Sequence, residues 1–186
     1  MRSFAFHRPT TLYEMSALLG GVADSTPLAG GMTLLPTIKQ RLAAPAALID
    51  LSKIPQLSGI SAQGDGLTVG AMTRHVDVAE SELVRSQIPL LADLAAGIGD
   101  PAVRNRGTIG GSVANNDPSA DYPAAVLALD AIVVTDRREI AADAFFRGLF
   151  ETALDPGEVI TALPIMKDES LIPCLSIRSS RRGIPS

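Results

Sequence analysis

Two short segments with adjacent glycines constrain the fold of this chain more than any other feature. The first, Leu28 to Pro36, contains Gly30-Gly31, and the second, Arg104 to Asn116, contains Gly110-Gly111. Glycine adopts positive φ without strain and leaves no side chain to block a ligand. The N–H groups exposed in such a turn, or at the start of a following helix, bind anions. Two such segments in one small protein suit a diphosphate better than a single phosphate, so the pattern indicates a dinucleotide ligand.

The surroundings of each glycine pair separate a ligand loop from an ordinary turn. Gly20-Gly21 follows a helical pattern over residues 11–19 that opens with a capping box, Thr11 and Glu14. We therefore expect one of these two glycines to end the helix in the left-handed conformation. Gly30-Gly31 instead follows a short apolar run and precedes a new helical pattern. This strand–turn–helix order is typical of phosphate sites.

Apolar spacing divides the chain into two lobes. Residues 26–29, 33–41 and 46–51 read as strand, helix and strand, which predicts parallel strands joined by a helix. We place a lobe boundary near residue 56, giving lobes of residues 1–56 and 57–170, with 171–186 as a tail. The fold class is thus α+β, with a small βαβ lobe and a larger mixed α/β lobe.

The second lobe begins with a hairpin signal. Two strand-like runs, 57–62 and 67–71, flank the turn Gln63-Gly64-Asp65-Gly66, and Asp-Gly between such runs favours a hairpin. Thr73 is expected to cap a helix that runs to about Ala79. The remaining predicted elements are helices at 89–98 and 119–129 and strands at 131–135 and 158–163.

Composition excludes several classes of function. The 186 residues carry a net charge of −4, 4% aromatic residues and no Trp, which disfavours nucleic-acid binding. Cys174 is the single cysteine, so a disulfide framework, a CxxC zinc site and an iron–sulfur cluster within this chain are excluded. His7 and His75 lack metal-ligand spacing and read as surface or packing residues. No apolar stretch reaches the length of a transmembrane helix, and we expect a cytoplasmic protein.

Five segments in a fixed order resemble one known family, the FAD-binding subunit of molybdenum hydroxylases. This is the flavoprotein component of carbon monoxide dehydrogenase, xanthine dehydrogenase and their relatives. Neither the GxGxxG fingerprint nor the P-loop is present, so the resemblance depends on other motifs. The segments that carry it are Ala29 to Pro36, Leu48 to Leu51, Thr68 to Thr73, Arg104 to Ser112 and Asn116 to Pro123.

The resemblance implies a fold, a cofactor and partners. The fold would be the two-lobed FAD-binding PCMH type, similar to vanillyl-alcohol oxidase. The chain would be an FAD-dependent oxidoreductase subunit in a heteromeric complex. It would pass electrons from an iron–sulfur small subunit, itself served by a molybdopterin large subunit, to an external acceptor. NAD, quinone and oxygen all remain possible acceptors, and the substrate would bind to another subunit.

The resemblance also assigns site residues. The first glycine segment would wrap the FAD diphosphate, and the second would form another clamp near the diphosphate and flavin. Asp121 would accept a hydrogen bond from a cofactor hydroxyl, although an acid in the first turn of a helix explains it equally well. Arg104 and Arg106 would offset diphosphate charge or serve at the surface. The full set of predicted cofactor-binding residues is Ala29, Gly30, Gly31, Met32, Thr33, Thr108, Ile109, Gly110, Gly111, Ser112, Asp121 and Ile160.

One departure from the family keeps two alternatives open. The family continues into a C-terminal domain, whereas Leu171 to Ser186 does not resemble the start of that domain. The chain is therefore expected to be a truncated or minimal form. It could instead be a non-catalytic assembly subunit with weak or no FAD binding, or a stand-alone flavin oxidoreductase.

Overall fold

The structure is a computed structural model that describes residues 3–166. The first lobe is a three-stranded parallel sheet with the order β1-β3-β2. The parallel pairing of β2 with β3 confirms the predicted β-α-β unit, whereas β1 was not predicted. Every residue of β3 is buried, since β3 lies in the centre of the sheet. The elements are β1 (Ala5–His7), α1 (Leu12–Gly21), β2 (Ser25–Leu28), α2 (Leu34–Lys39) and β3 (Ala47–Asp50).

The second lobe contains a five-stranded antiparallel sheet with the order β4-β5-β10-β6-β7, together with a small separate hairpin, β8-β9. The predicted hairpin between β4 and β5 is confirmed, and its turn places Gly64 at φ 56°. The strands are β4 (Ile60–Gln63), β5 (Gly66–Gly70), β6 (Ile132–Thr135), β7 (Glu139–Ala141), β8 (Phe146–Gly148), β9 (Glu151–Thr152) and β10 (Ile160–Met166).

Helices pack against this sheet and complete the larger core. Val69 and Leu163 of the sheet belong to one buried cluster with Leu91, Val113 and Val126 of the helices. Burial of so many aliphatic side chains is the dominant stabilising term for a lobe of this size. The helices are α3 (His75–Glu80), α4 (Glu82–Gln87), α5 (Pro89–Gly97), α6 (Pro101–Arg106), α7 (Ile109–Asn115), α8 (Asp121–Ala128) and α9 (Ala142–Phe145).

A smaller core joins the lobes. Met15, Ile49 and Leu57 form it with Val159, which directly precedes β10. We propose lobes of residues 1–56 and 57–170, because one sheet is built entirely from residues before 56 and the other sheets entirely from residues after it. The predicted tail, 171–186, lies outside the described residues. Within residues 3–166, no helix is long and apolar enough to cross a membrane.

Two local predictions are wrong. Gly20 and Gly21 stay within α1, which is followed by Val22 in an extended conformation. Asp24 adopts the left-handed conformation instead, at φ 53°, so the reversal occurs later than the glycines. Thr73 does not cap α3, because its hydroxyl donates to the carbonyl of Gly59 and accepts from the N–H of the same residue, each at 3.0 Å. The tertiary contact with Gly59 therefore uses the Thr73 hydroxyl that was expected to cap the helix.

Candidate cofactor-binding site

A cavity of about 670 Å³ lies between the two lobes, and both glycine segments line it. Its volume is within the range of small-molecule and cofactor sites. Every predicted site residue except Ile109 contributes to its wall. Ile109 is fully buried in the larger core, so its role in the structure is packing.

The two glycine segments touch each other across the lobe boundary. A β-carbon built on Gly30 would lie 2.1 Å from the carbonyl oxygen of Arg106 and 2.8 Å from Cα of Gly107. A β-carbon on Gly111 would lie 3.4 Å from Cβ of Ala29 and 2.9 Å from Oγ1 of Thr108. Glycine is therefore required at residue 30 by the close approach of two backbones.

The first segment presents a row of free backbone donors. Gly31 has φ 75°, which turns the chain from the end of β2 into α2. Within residues 3–166, the five consecutive N–H groups from Gly30 to Leu34 donate no hydrogen bond, and the Thr33 side chain does not cap the helix. Successive N–H groups in such a turn form a concave anion site. The row therefore has the character expected of a diphosphate-binding loop.

The second segment differs, and it corrects the expectation of two backbone anion sites. The N–H of Ile109 donates to Thr73 and that of Gly110 donates to Ala71, at 3.1 and 2.9 Å. The N–H of Gly111 donates to the Thr108 hydroxyl, which caps α7 at 3.2 Å, and Ser112 donates to the Thr108 carbonyl. The first two bonds join α7 to residues that follow β5, and the last two are local to the start of α7. This segment offers the cavity hydroxyl groups and a smooth glycine surface.

The charges around the cavity also differ from the expectation. Among the described residues, Asp117, Asp121 and Glu158 line it, and no lysine or arginine does. The Arg104 guanidinium donates to the carbonyl of Ile98, so it supports the loop after α5. Arg106 lines a second cleft, which shares Ala29, Gly30, Met72 and Thr108 with the first. Any charge on a diphosphate in the cavity would thus be met by backbone dipoles.

Glu158 is held by a buried network that the sequence did not indicate. Its carboxylate accepts two hydrogen bonds from Arg138, at 2.9 and 2.8 Å. It also accepts from the Thr135 hydroxyl and the Asp155 N–H, each at 2.8 Å. The Arg138 hydrogen bonds, aided by those from Asp155 and Thr135, lower the pKa of Glu158 to about 2. This network fixes the turn that leads into Ile160, the buried first residue of β10 that lines the cavity.

His75 and Tyr122 form a second feature that was missed. Their rings are 5.1 Å apart, and both residues are buried and line the cavity. Burial lowers the pKa of His75 to about 4, while burial and the charge of Asp121 raise the pKa of Tyr122. Both side chains are therefore neutral near pH 7. The sequence around His75 did not indicate whether this histidine lines a cavity or packs in the core.

Asp121 lies both at the start of a helix and on the cavity wall, so its position agrees with a role in the helix and with a role in cofactor binding. It is the first residue of α8, its side chain is exposed, and it lines the cavity. A carboxylate in the first turn of a helix is stabilised by the helix dipole.

Comparisons with known proteins identify the family. A family model described as the FAD binding domain in molybdopterin dehydrogenase matches residues 2–165. The chain therefore belongs to this family, as the resemblance predicted, and FAD is its cofactor. A crystal structure of carbon monoxide dehydrogenase from Hydrogenophaga pseudoflava is similar, with a TM-score of 0.88 and 42% identity over 91% of this chain and 61% of the matched chain. The two-lobed PCMH-type fold is thereby confirmed.

Curated relatives agree with this assignment. The carbon monoxide dehydrogenase medium chain of Hydrogenophaga pseudoflava is 43% identical over 167 residues, which cover 87% of this chain and 58% of the relative. The glyceraldehyde dehydrogenase medium chain of Sulfolobus acidocaldarius is 34% identical and covers 87% of this chain and 59% of the relative. The chain thus spans somewhat less than three fifths of the length of these relatives.

The residues present fit FAD. The free N–H row suits a diphosphate, and the cavity wall beside it is largely uncharged, as a flavin ring requires. The carboxylate of Asp121, on the same wall, suits a cofactor hydroxyl. The chemistry of the donor set thus agrees with the family assignment.

Proposed function

We propose that this chain is an electron-transfer subunit that carries FAD between its two lobes. It would receive electrons from an iron–sulfur subunit of a molybdopterin enzyme and pass them to an external acceptor. The observation that carries the proposal is the row of free N–H groups from Gly30 to Leu34 beside a cavity of about 670 Å³, in a chain of this family.

Each part of the cavity wall has a proposed role. The N–H groups of Gly30 to Leu34, with the Thr33 hydroxyl, bind the diphosphate. Thr108 and Ser112 face the same groups from the other lobe. Asp121 accepts a hydrogen bond from a ribityl hydroxyl, and Ile160 packs against the flavin. The bound flavin supplies the redox chemistry, while the protein binds it, orients it and keeps water away.

The partners follow from what this chain lacks and from what its relatives are called. A single cysteine among 186 residues cannot ligate an iron–sulfur cluster. The relatives are named as medium chains, which implies larger and smaller partner chains. Relatives with quite different substrate names, carbon monoxide and glyceraldehyde, share this domain. We therefore place substrate oxidation on a molybdopterin large subunit and the clusters on a small subunit.

Titration of the purified chain with FAD tests the binding part of the proposal. We expect quenching of flavin fluorescence that saturates at one FAD per chain. A well-folded chain that binds no FAD would favour the assembly-subunit alternative. Co-purification with a cysteine-rich chain and a molybdenum-containing chain tests the partner assignment. A chain that oxidises a substrate without such partners would contradict it.

Gly111→Val is expected to weaken FAD binding at least about tenfold, because its γ-methyl groups would fill the space between the segments. Gly111 lies within α7 and has no positive φ, so the effect comes from the added side chain, whose β-carbon would lie 2.9 Å from Oγ1 of Thr108 and force that residue to shift. Equilibrium titration with FAD measures the effect, and circular dichroism confirms the fold. Gly20→Val is the matched control, because a β-carbon on Gly20 meets nothing within 4 Å. Equal affinity in the two variants would contradict the assignment of the second segment.

A further inference from the structure

Among the described residues, two buried side-chain polar atoms lack any hydrogen-bond partner, namely Nδ1 of His75 and the hydroxyl of Tyr122. The two side chains come from different helices, α3 and α8, yet their ring centroids are only 5.1 Å apart. Both residues line the cavity assigned to FAD. The unsatisfied polar groups are therefore gathered at one place, beside the cofactor cavity.

These atoms are costly unless something outside the chain bonds to them. A buried donor or acceptor without a partner destabilises the folded state, and phenylalanine would fill the space of Tyr122 without that cost. Native proteins satisfy most buried polar groups, so an unsatisfied pair indicates a missing partner. An internal water molecule or a polar group of the cofactor can supply this partner.

We propose that the Tyr122 hydroxyl and the His75 imidazole form a polar subsite that hydrogen-bonds the flavin half of FAD. This inference rests on the proposed function and deepens it, since it fixes the direction in which FAD lies. The diphosphate lies at the free N–H row that begins at Gly30, and the flavin ring lies toward α3 and α8. His75 and Tyr122 act as positioning residues.

The chemistry of the subsite favours the flavin over the diphosphate. Both side chains are neutral near pH 7, and the neighbouring wall includes the apolar side chains of Ile98 and Val103. A neutral polar pair suits an uncharged ring that carries carbonyl oxygens and ring nitrogens, whereas a doubly charged diphosphate would lack a counter-charge there and would lie near the carboxylate of Asp121.

Access to the two atoms requires a small movement. Both atoms are shielded from water in the structure, so one ring must rotate before a ligand can reach them. Such a rotation breaks no side-chain hydrogen bond, because neither atom makes one among the described residues. Within the part of the chain that the structure describes, no hydrogen bond of these two atoms therefore opposes the movement.

The test compares Tyr122→Phe with the wild-type chain, using FAD, riboflavin and ADP as separate ligands in calorimetric titrations. Tyr122→Phe is expected to lower the affinity for FAD and riboflavin about three- to tenfold, the size of one neutral hydrogen bond, while ADP affinity stays unchanged. The thermal midpoint without ligand should stay level or rise. Tyr13→Phe is the matched control, because Tyr13 is the only other tyrosine and is 83% exposed.

His75→Phe provides a second, independent variant in case the first does not fold. It should show the same loss for FAD and riboflavin, together with a shifted flavin absorption band. If both variants bind FAD and riboflavin as tightly as the wild type, the orphaned atoms bind only internal water and this inference fails, while the proposed FAD site stands. A wild-type chain that binds no FAD overturns the proposed function and this inference together.

Discussion

Gly30→Ala is expected to abolish tight FAD binding and to destabilise the chain. The added β-carbon would lie 2.1 Å from the carbonyl oxygen of Arg106, which is far inside van der Waals contact. Both groups belong to backbones, so neither can rotate away, and the first glycine segment must move off the second. Overpacking of this kind costs up to about 3 kcal/mol. The free protein can relieve this strain by moving the first segment away from the second. If FAD binding brings the segments together again, it must restore the strain, and FAD affinity then falls by about a hundredfold.

Fluorescence titration with FAD and urea unfolding measure the two effects of Gly30→Ala. The control is Gly21→Ala, which places the same methyl group on α1, where a β-carbon meets nothing within 4 Å. Alanine is the better helix former, so this control should be as stable as the wild type or more stable by about 0.5–1 kcal/mol. Normal FAD affinity in Gly30→Ala would show that contact between the two segments is not needed for binding.

Arg138→Ala is expected to lower the free energy of unfolding at pH 7, because it leaves the buried carboxylate of Glu158 without its cation. The loss is limited, since Glu158 keeps its bonds from Thr135 and Asp155 and Arg138 is 43% exposed. Arg137→Ala is the control, because the Arg137 side chain makes only a 3.9 Å contact with Asp136 and a 3.4 Å hydrogen bond to the carbonyl of Pro156 among the described residues. That change should cost less than about 0.5 kcal/mol.

Acid should erase the difference between wild type and Arg138→Ala. The folded-state pKa of Glu158 is lowered to about 2 from an ordinary value of 4.5. Its stabilisation is therefore fully present above pH 4.5 and is lost as the pH falls through 2. The double variant Arg138→Ala with Glu158→Gln removes the buried charge and should recover most of the lost stability at pH 7. A difference that stays constant from pH 7 to pH 3 would contradict the ion-pair explanation.

The sequence predicted those features of the fold that depend on local patterns. The β-α-β unit and the Asp-Gly hairpin follow from apolar spacing and turn residues, and the glycine segments were recognised because close backbone approach requires glycine. The hydrogen-bond partner of an individual hydroxyl or N–H group could not be predicted from the sequence. Thr73 and the N–H groups of Ile109 and Gly110 are consumed by tertiary contacts, and which partner takes such a hydrogen bond depends on elements far away in the sequence.

The same reasoning explains what was missed in the site. The pairing of Glu158 with Arg138 and the proximity of His75 to Tyr122 join residues that are tens of positions apart. Neither pair has a local pattern, and each arises only when the helices pack on the sheet. Gly20-Gly21 shows the opposite error, because a favourable local signal for a helix end was overridden by the path of the chain into β2.

Because the two glycine segments touch each other, a cofactor in the cavity beside them would contact both lobes. Ala29 and Gly30 belong to one lobe and Gly111 to the other, and all three line the same cavity, so a ligand that fills the cavity also holds the two halves of the protein together. Binding at a hundredfold excess over Kd adds about 2.7 kcal/mol to the free energy of unfolding. The concentration of FAD would then influence the fraction of chains that are folded. The cofactor would thus assist assembly as well as electron transfer.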